Sequence, residues 1–199
     1  MARVSADVRR ELLVEAAIRV MIRDGVAGAT TRAVVAEAGM PLGAFHYCFR
    51  SKQELLENVI AAITGHTLDR MLEELKGPGG LEDKLRAGLG AYWQHVLDHP
   101  DEHRVTYELT QYAVRRPGLA ELAKRQYESY LEAGTRVLEA LAESCDATWT
   151  APLPVLARYT ASLIDGLTLL YLTEGDAEAA GAALDLAATQ VLGLARPAD

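Results

Sequence analysis

The stretch TTRAVVAEAGMPLGAFHYCFRSK, residues 30–52, decides how the rest of the chain is read. Its first half carries Thr30 and Thr31, either of whose hydroxyls can cap a short helix that ends at Gly39. Pro41, with its fixed φ, suits the first turn of a second short helix ending near Phe49. Two short helices joined by a few residues with a glycine in the turn make a helix-turn-helix, whose second helix enters the DNA major groove. The residues of that helix suit the task. Gly43 and Ala44 have too little side chain to hold the backbone away from a duplex, while His46 and Tyr47 are polar-tipped aromatics able to reach phosphate or base edges. Arg50 and Lys52 follow at the rim as phosphate partners, and Phe45 and Phe49, four apart, are predicted to anchor the helix to the first helix and to Val34 and Val35.

Outward from this segment, apolar residues recur at three and four and strand-like alternation is nearly absent, so the expected fold is all-α with about nine helices. The first helix is predicted over about Ala6 to Asp24, with Ser5 as N-cap, an inward stripe of Leu13, Ala16, Ala17, Val20 and Met21, and Gly25 as its stop. Ser51-Lys52-Gln53-Glu54 has the form of a capping box and opens a long fourth helix. Its amino end presents free N–H groups to a DNA phosphate, with Lys52 adjacent. GPGG at residues 77–80 ends that helix as a hinge or connector. Further helices are predicted at about 81–98, 101–116, 118–144, 153–174 and 176–195. The expected division is a DNA-binding head over residues 1–50, a connecting helix over 51–76 and a ligand-binding and dimerisation body over 77–199.

Composition narrows the function classes. At 199 residues and 50% hydrophobic, the chain has enough apolar material for a packed core. Its net charge of -8 argues against coating nucleic acid by bulk positive charge. That charge is uneven: residues 1–60 hold eight Lys and Arg against seven Asp and Glu, and residues 61–199 hold twelve against twenty-one. A weakly basic head thus sits on an acidic body. Cys48 and Cys145 make neither a disulfide framework nor a zinc site. No apolar leader and no long uninterrupted apolar run is read, so the expectation is a soluble cytoplasmic protein without membrane association.

The run TTRAVVAEAGMPLGAFHYCFRSKQELLENVI resembles the DNA-binding signature of the Tet repressor (TetR) family, in which T-T-x-x-I-A-x-x-A-G-V precedes G-T-L-Y-x-x-F-x-x-K-x-x-L. Thr30 and Thr31 fall on that family's phosphate-contacting helix start, and Arg32 falls where some members place a base-reading arginine. Gly43 and Ala44 match the usual Gly-Thr pair, Phe45 the buried Leu, His46 the frequent phosphate-binding Tyr, and Lys52 the phosphate-binding Lys. Ala44, His46 and Pro41 depart from the usual Thr, Tyr and Ser. The expected DNA-facing set is therefore Thr30, Thr31, Arg32, Pro41, Leu42, Gly43, Ala44, His46, Tyr47, Arg50 and Lys52.

The resemblance also implies an all-α body that dimerises through its last two long helices and holds a pocket for a small organic ligand. Leu156, Tyr159, Leu163, Leu167 and Leu170 recur at helical spacing in the 153–174 segment; Leu184, Ala188, Val191 and Leu192 share a face of the last helix. They are expected at a homodimer interface, the alternative being that the two helices bury each other within one chain. Tyr92, Trp93, Tyr107, Gln111, Tyr112, Tyr127 and Tyr130, with Glu108 nearby, suit an aromatic-walled pocket; the alternative is that most of them pack the core. His95, His99 and His103 lack surrounding carboxylate or thiol ligands, so no metal site is expected, and neither is a cofactor. No catalytic constellation stands out, and the chain is not expected to be an enzyme. The reading that results is a dimeric, ligand-responsive regulator bound to double-stranded operator DNA, most simply a repressor. Its alternative is an α-helical small-molecule-binding module that has lost DNA binding.

Overall fold

The computed structural model describes residues 5–198, so the ends of the expected head and body, Met1–Val4 and Asp199, lie outside it. Nine helices and one short strand pair form among the described residues: α1 (Ala6–Gly28), α2 (Thr31–Glu37), α3 (Leu42–Cys48), α4 (Lys52–Glu74), α5 (Leu81–Asp98), α6 (Pro100–Val114), α7 (Ala120–Ser144), β1 (Ala147–Trp149), α8 (Leu153–Glu174), α9 (Ala177–Leu192) and β2 (Ala195–Pro197). The all-α expectation is borne out.

The local signals act where the sequence puts them. Ser5 Oγ accepts the Val8 N–H at 3.2 Å and starts α1. At Gly25 the backbone takes φ 74° and ψ 168°, a conformation only glycine adopts cheaply, so the regular helix breaks there although α1 resumes to Gly28. Thr30 is the α2 N-cap, its hydroxyl accepting the Ala33 N–H at 3.2 Å. Pro41 caps α3 from just outside the helix, not from within its first turn.

The last segment departs from expectation. α9 stops at Leu192, and Ala195–Pro197 pairs antiparallel with Ala147–Trp149. Three-residue strands are too short for alternation to register against a helical background. Trp149 fastens β1 to α7 by donating Nε1–H to the Leu138 carbonyl at 3.0 Å.

Packing divides the chain into two compact units. One holds the residues up to Ile63 together with Asp101–Tyr127; the other holds Thr64–Pro100 and the residues from Glu128 on. The core of the first gathers the predicted stripe Leu13, Ala16, Ala17, Val20 and Met21 with Val34, Val35, Phe45 and Phe49. The core of the second gathers Leu85, Leu89, Trp93, Leu138, Leu141, Leu156, Leu184 and Val191.

The residues expected at the dimer interface differ in burial. Leu156, Leu184, Ala188 and Val191 are buried within their own unit, between 1% and 8% exposed. Leu163, Leu167 and Leu192 are half-buried. The exposed large apolar residues on these helices are Val155, Tyr159, Leu169, Leu170 and Leu186. α8 is in consequence long and apolar enough to cross a membrane by length and composition, a feature not anticipated from the sequence, while its apolar stretch is only 17% buried.

Candidate nucleic-acid interface

Residues 38–41 turn the chain between α2 and α3, with Gly39 at φ 63° and the Met40 N–H bonded to the Val35 carbonyl at 2.8 Å. This satisfies an α2 carbonyl that would otherwise be orphaned and sends α3 away at a fixed angle. Val34, Val35, Phe45, Cys48 and Phe49 all turn inward, and the Phe45 and Phe49 rings lie 5.4 Å apart. Cys48 is a small buried hydrophobe here, 8% exposed.

What remains outward is nearly the whole predicted DNA-facing set. Thr30, Arg32, Pro41, Leu42, Gly43, His46, Tyr47 and Arg50 are exposed, and Thr31, Ala44 and Lys52 are half-exposed. Among the described residues the Arg32 guanidinium has no hydrogen bond or ion pair, which leaves its donors available. At Gly43 an added Cβ would meet nothing within 4 Å, and its φ is not positive. Neither packing nor backbone conformation requires glycine at that place, so the fold does not account for it.

The recognition helix is held by a network the sequence reading did not find. Arg10 of α1 donates to Asn58 Oδ1 at 3.1 Å, to the Cys48 carbonyl at 2.5 Å and to Glu54 Oε1 at 2.6 Å, and its guanidinium lies 4.6 Å from the Phe49 ring centroid. One side chain thereby ties the carboxyl end of α3 to α1 and α4. Glu54 also modifies the expected capping box. Ser51 Oγ accepts the Glu54 N–H at 3.1 Å, but the Glu54 carboxylate reaches one residue further, to the Arg50 N–H at 2.8 Å. That bond first, and the Arg10 guanidinium second, hold the Glu54 carboxyl below the ordinary carboxylate range. Glu37, bonded to Arg23 at 2.9 Å and Arg19 at 3.0 Å, fastens α2 to α1 in the same manner and is likewise lowered.

The residues expected to line a ligand pocket fall into both units. In the second, Tyr92 Oη shares a 2.7 Å hydrogen bond with Thr168 Oγ1, and burial pushes the phenol well above its ordinary pKa. Trp93 packs edge-on to Tyr171 at 5.1 Å, and Tyr130 is half-buried. In the first unit, Glu108 accepts the Val26 N–H at 2.8 Å, Gln111 is exposed, Tyr107 and Tyr112 are half-buried, and Tyr127 is 38% exposed. The buried polar side chains there include His103, Thr106 and Gln126, of which Gln126 donates to the Thr106 carbonyl and accepts from Thr110. Two open grooves mark the second unit. One of about 470 Å³ is lined by Leu131, Thr135, Arg136, Pro154 and Arg158, and another of about 510 Å³ by Arg70, Glu74, Ala87 and Gln94. None of the predicted pocket residues lines either groove. His95, 2% exposed, has its imidazole lowered to about 4, chiefly by burial and then by His99, Arg70 and His66.

Comparison with known proteins matches residues 13–59 to bacterial regulatory proteins of the tetR family and residues 81–196 to the C-terminal domain of BetI-type transcriptional repressors. The chain is 27% identical, over 172 residues, to the nicotine-responsive transcriptional repressor HdnoR of Paenarthrobacter nicotinovorans, covering 86% of this chain and 88% of that one. Among solved structures it resembles a TetR-family regulator from Rhodococcus sp. (TM-score 0.77, 18% identity, 94% and 98% of the two chains). It also resembles the regulator FadR of Bacillus subtilis in complex with stearoyl-CoA (TM-score 0.71, 16% identity, 90% and 97%).

Proposed function

This chain belongs to the tetR family of bacterial regulatory proteins, with a BetI-type C-terminal domain, and from that premise we propose that it is a homodimeric repressor released from operator DNA by a small organic molecule. The observation that carries the DNA-binding part is the outward face of α3. It pairs a glycine that the fold does not need with exposed His46, Tyr47 and Arg50, on a helix locked from behind by Arg10. Thr30 and Thr31 at the start of α2 and Lys52 at the start of α4 flank it as phosphate contacts, and Arg32 reads a base edge.

A second copy of the chain covers the exposed apolar residues of α8 and α9. Two recognition helices related by a twofold axis then meet two half-sites. The organic ligand binds the acidic body, where Tyr92, Trp93, Tyr130 and Tyr171 supply aromatic surface and the Tyr92–Thr168 pair supplies polarity. That a relative responds to nicotine and a structural neighbour holds stearoyl-CoA supports a ligand-responsive body without narrowing the ligand. A ligand that prefers the non-binding state weakens operator affinity by linkage, and derepression follows.

The test is selection of duplexes from a random-sequence pool, followed by gel shift of the recovered sequence across a salt series. Recovery of a palindromic site bound in a salt-sensitive, competitor-resistant way is the expected result. An empty selection would leave a ligand-binding module and overturn the reading.

A further inference from the structure

Lys52 is held before any DNA arrives. Its ammonium lies 3.5 Å from the Val26 carbonyl and 5.6 Å from the centroid of the Tyr112 ring, within range of a cation–π attraction. Val26 follows the Gly25 kink, and its own N–H is fixed by Glu108 Oε1 at 2.8 Å. The fit is close, since a Cβ at position 25 would come within 3.0 Å of that carboxylate oxygen. Tyr112 and Glu108 sit one turn apart on α6, so a single helix supplies both supports. The Arg116 guanidinium lies 4.1 Å from the same ring centroid and adds a second cation to it.

A lysine is a flexible four-carbon stem carrying three donors, and ordering that stem opposes any contact it makes. Lys52 is half-buried, which limits the freedom its side chain has left to lose. The carbonyl and the ring engage only part of the ammonium, and the rest can meet a phosphate oxygen at the amino end of α4.

We infer that Tyr112 and Glu108 are positioning residues for the phosphate contact of Lys52, the ring acting on the ammonium directly and the carboxylate through the Val26 peptide. This rests on the reading of Lys52 as a phosphate contact. It moves two residues that the sequence assigned to ligand binding onto the DNA side.

A double-mutant cycle tests it, using anisotropy on the duplex recovered by selection and measuring each variant's thermal midpoint first. Lys52→Ala is expected to lower the slope of log affinity against log salt by about one. Tyr112→Leu is expected to weaken binding roughly threefold when Lys52 is present and to change nothing when Lys52 is Ala, whereas Tyr112→Phe keeps the ring and the affinity. Glu108→Ala follows Tyr112→Leu, and Glu108→Gln, which retains an acceptor oxygen, follows the parent chain. An equal loss for Tyr112→Leu in both backgrounds would mean that the ring acts by packing alone, and would overturn the inference while leaving the function intact. An unchanged salt slope for Lys52→Ala would remove the phosphate contact and the inference together.

Discussion

The two ends of the chain differ in what they do with apolar side chains. α2 and α3 bury Val34, Val35, Phe45 and Cys48, and leave Leu42 and Tyr47 as their exposed large apolar residues. α8 and α9 bury Leu156, Leu184, Ala188 and Val191 and still leave Val155, Leu169, Leu170 and Leu186 uncovered. One apolar face per helix is what folding needs; a second, exposed one marks a surface that something else covers. At the first end the outward residues are, Leu42 apart, small, polar-tipped or cationic, which suits a groove lined with phosphate. At the second they are aliphatic, which suits a copy of the same surface.

The largest effect that tests this contrast comes from one buried and one exposed residue of α8, Leu156 and Leu170. Leu156→Ala removes a fully buried side chain and is expected to cost about 2–5 kcal/mol, read by urea denaturation. Leu170→Glu touches no core residue and is expected to leave secondary structure intact while sedimentation shows a monomer with tight operator binding lost. A Leu170→Glu protein that remained dimeric would place the interface elsewhere and break the comparison.

The next effect concerns how the recognition helix is held. Arg10→Ala frees the Cys48 carbonyl and uncovers the Phe49 ring, and is expected to cost about 1–2 kcal/mol. Arg10→Lys can restore one hydrogen bond but not the fork, so it recovers only part of the loss. Full recovery by lysine would show that charge alone matters there.

What the sequence revealed, and what it hid, follows the same divide. Ser5, Gly25, Thr30 and Gly39 act on their own backbone or on neighbours within a few residues, and a local signal of that kind is legible without a fold. The bonds Arg10–Glu54 and Val26–Glu108 join residues 44 and 82 positions apart, and nothing local announces them. Gln126 shows the same limit, because the acceptor that satisfies it belongs to α6. Helical periodicity identified the stripe on α8 and α9 but could not say which partner the stripe faces. It grouped Leu156, which is buried in its own unit, with Leu170, which is exposed, and chose Val191 over the exposed Leu186.

The response to acid separates the two packing units by pH. The His95 pKa is lowered to about 4, so an unfolded chain takes up a proton near pH 6.5 that the native one refuses. Stability is therefore full above about pH 6.5 and declines toward pH 4 with a slope of about one proton. Glu54 and Glu37 are lowered carboxylates, whose contribution is present above the unfolded value of about 4.3 and is lost as pH falls through their folded values. His95→Leu should flatten the upper part of the acid limb and Glu54→Gln the lower part, both read from urea midpoints across pH. A single limb unaffected by either change would assign acid unfolding to other groups.

The smallest effect on stability is the most informative about DNA. Gly43 lies in the first turn of α3 with open space where a Cβ would go and no positive φ, so Gly43→Ala adds a methyl that touches nothing and removes a flexible glycine from a helix. Stability is expected to rise by a few tenths up to about 1 kcal/mol. If the glycine exists to let the backbone approach a duplex, the same methyl lowers operator affinity. Leu170→Glu and Tyr112→Leu impair DNA binding by weakening an interface or a clamp within the protein, and Lys52→Ala by removing a cation. Gly43→Ala separates the two quantities by sign, and a variant both more stable and equally tight on the selected duplex would show that α3 does not approach DNA through this face.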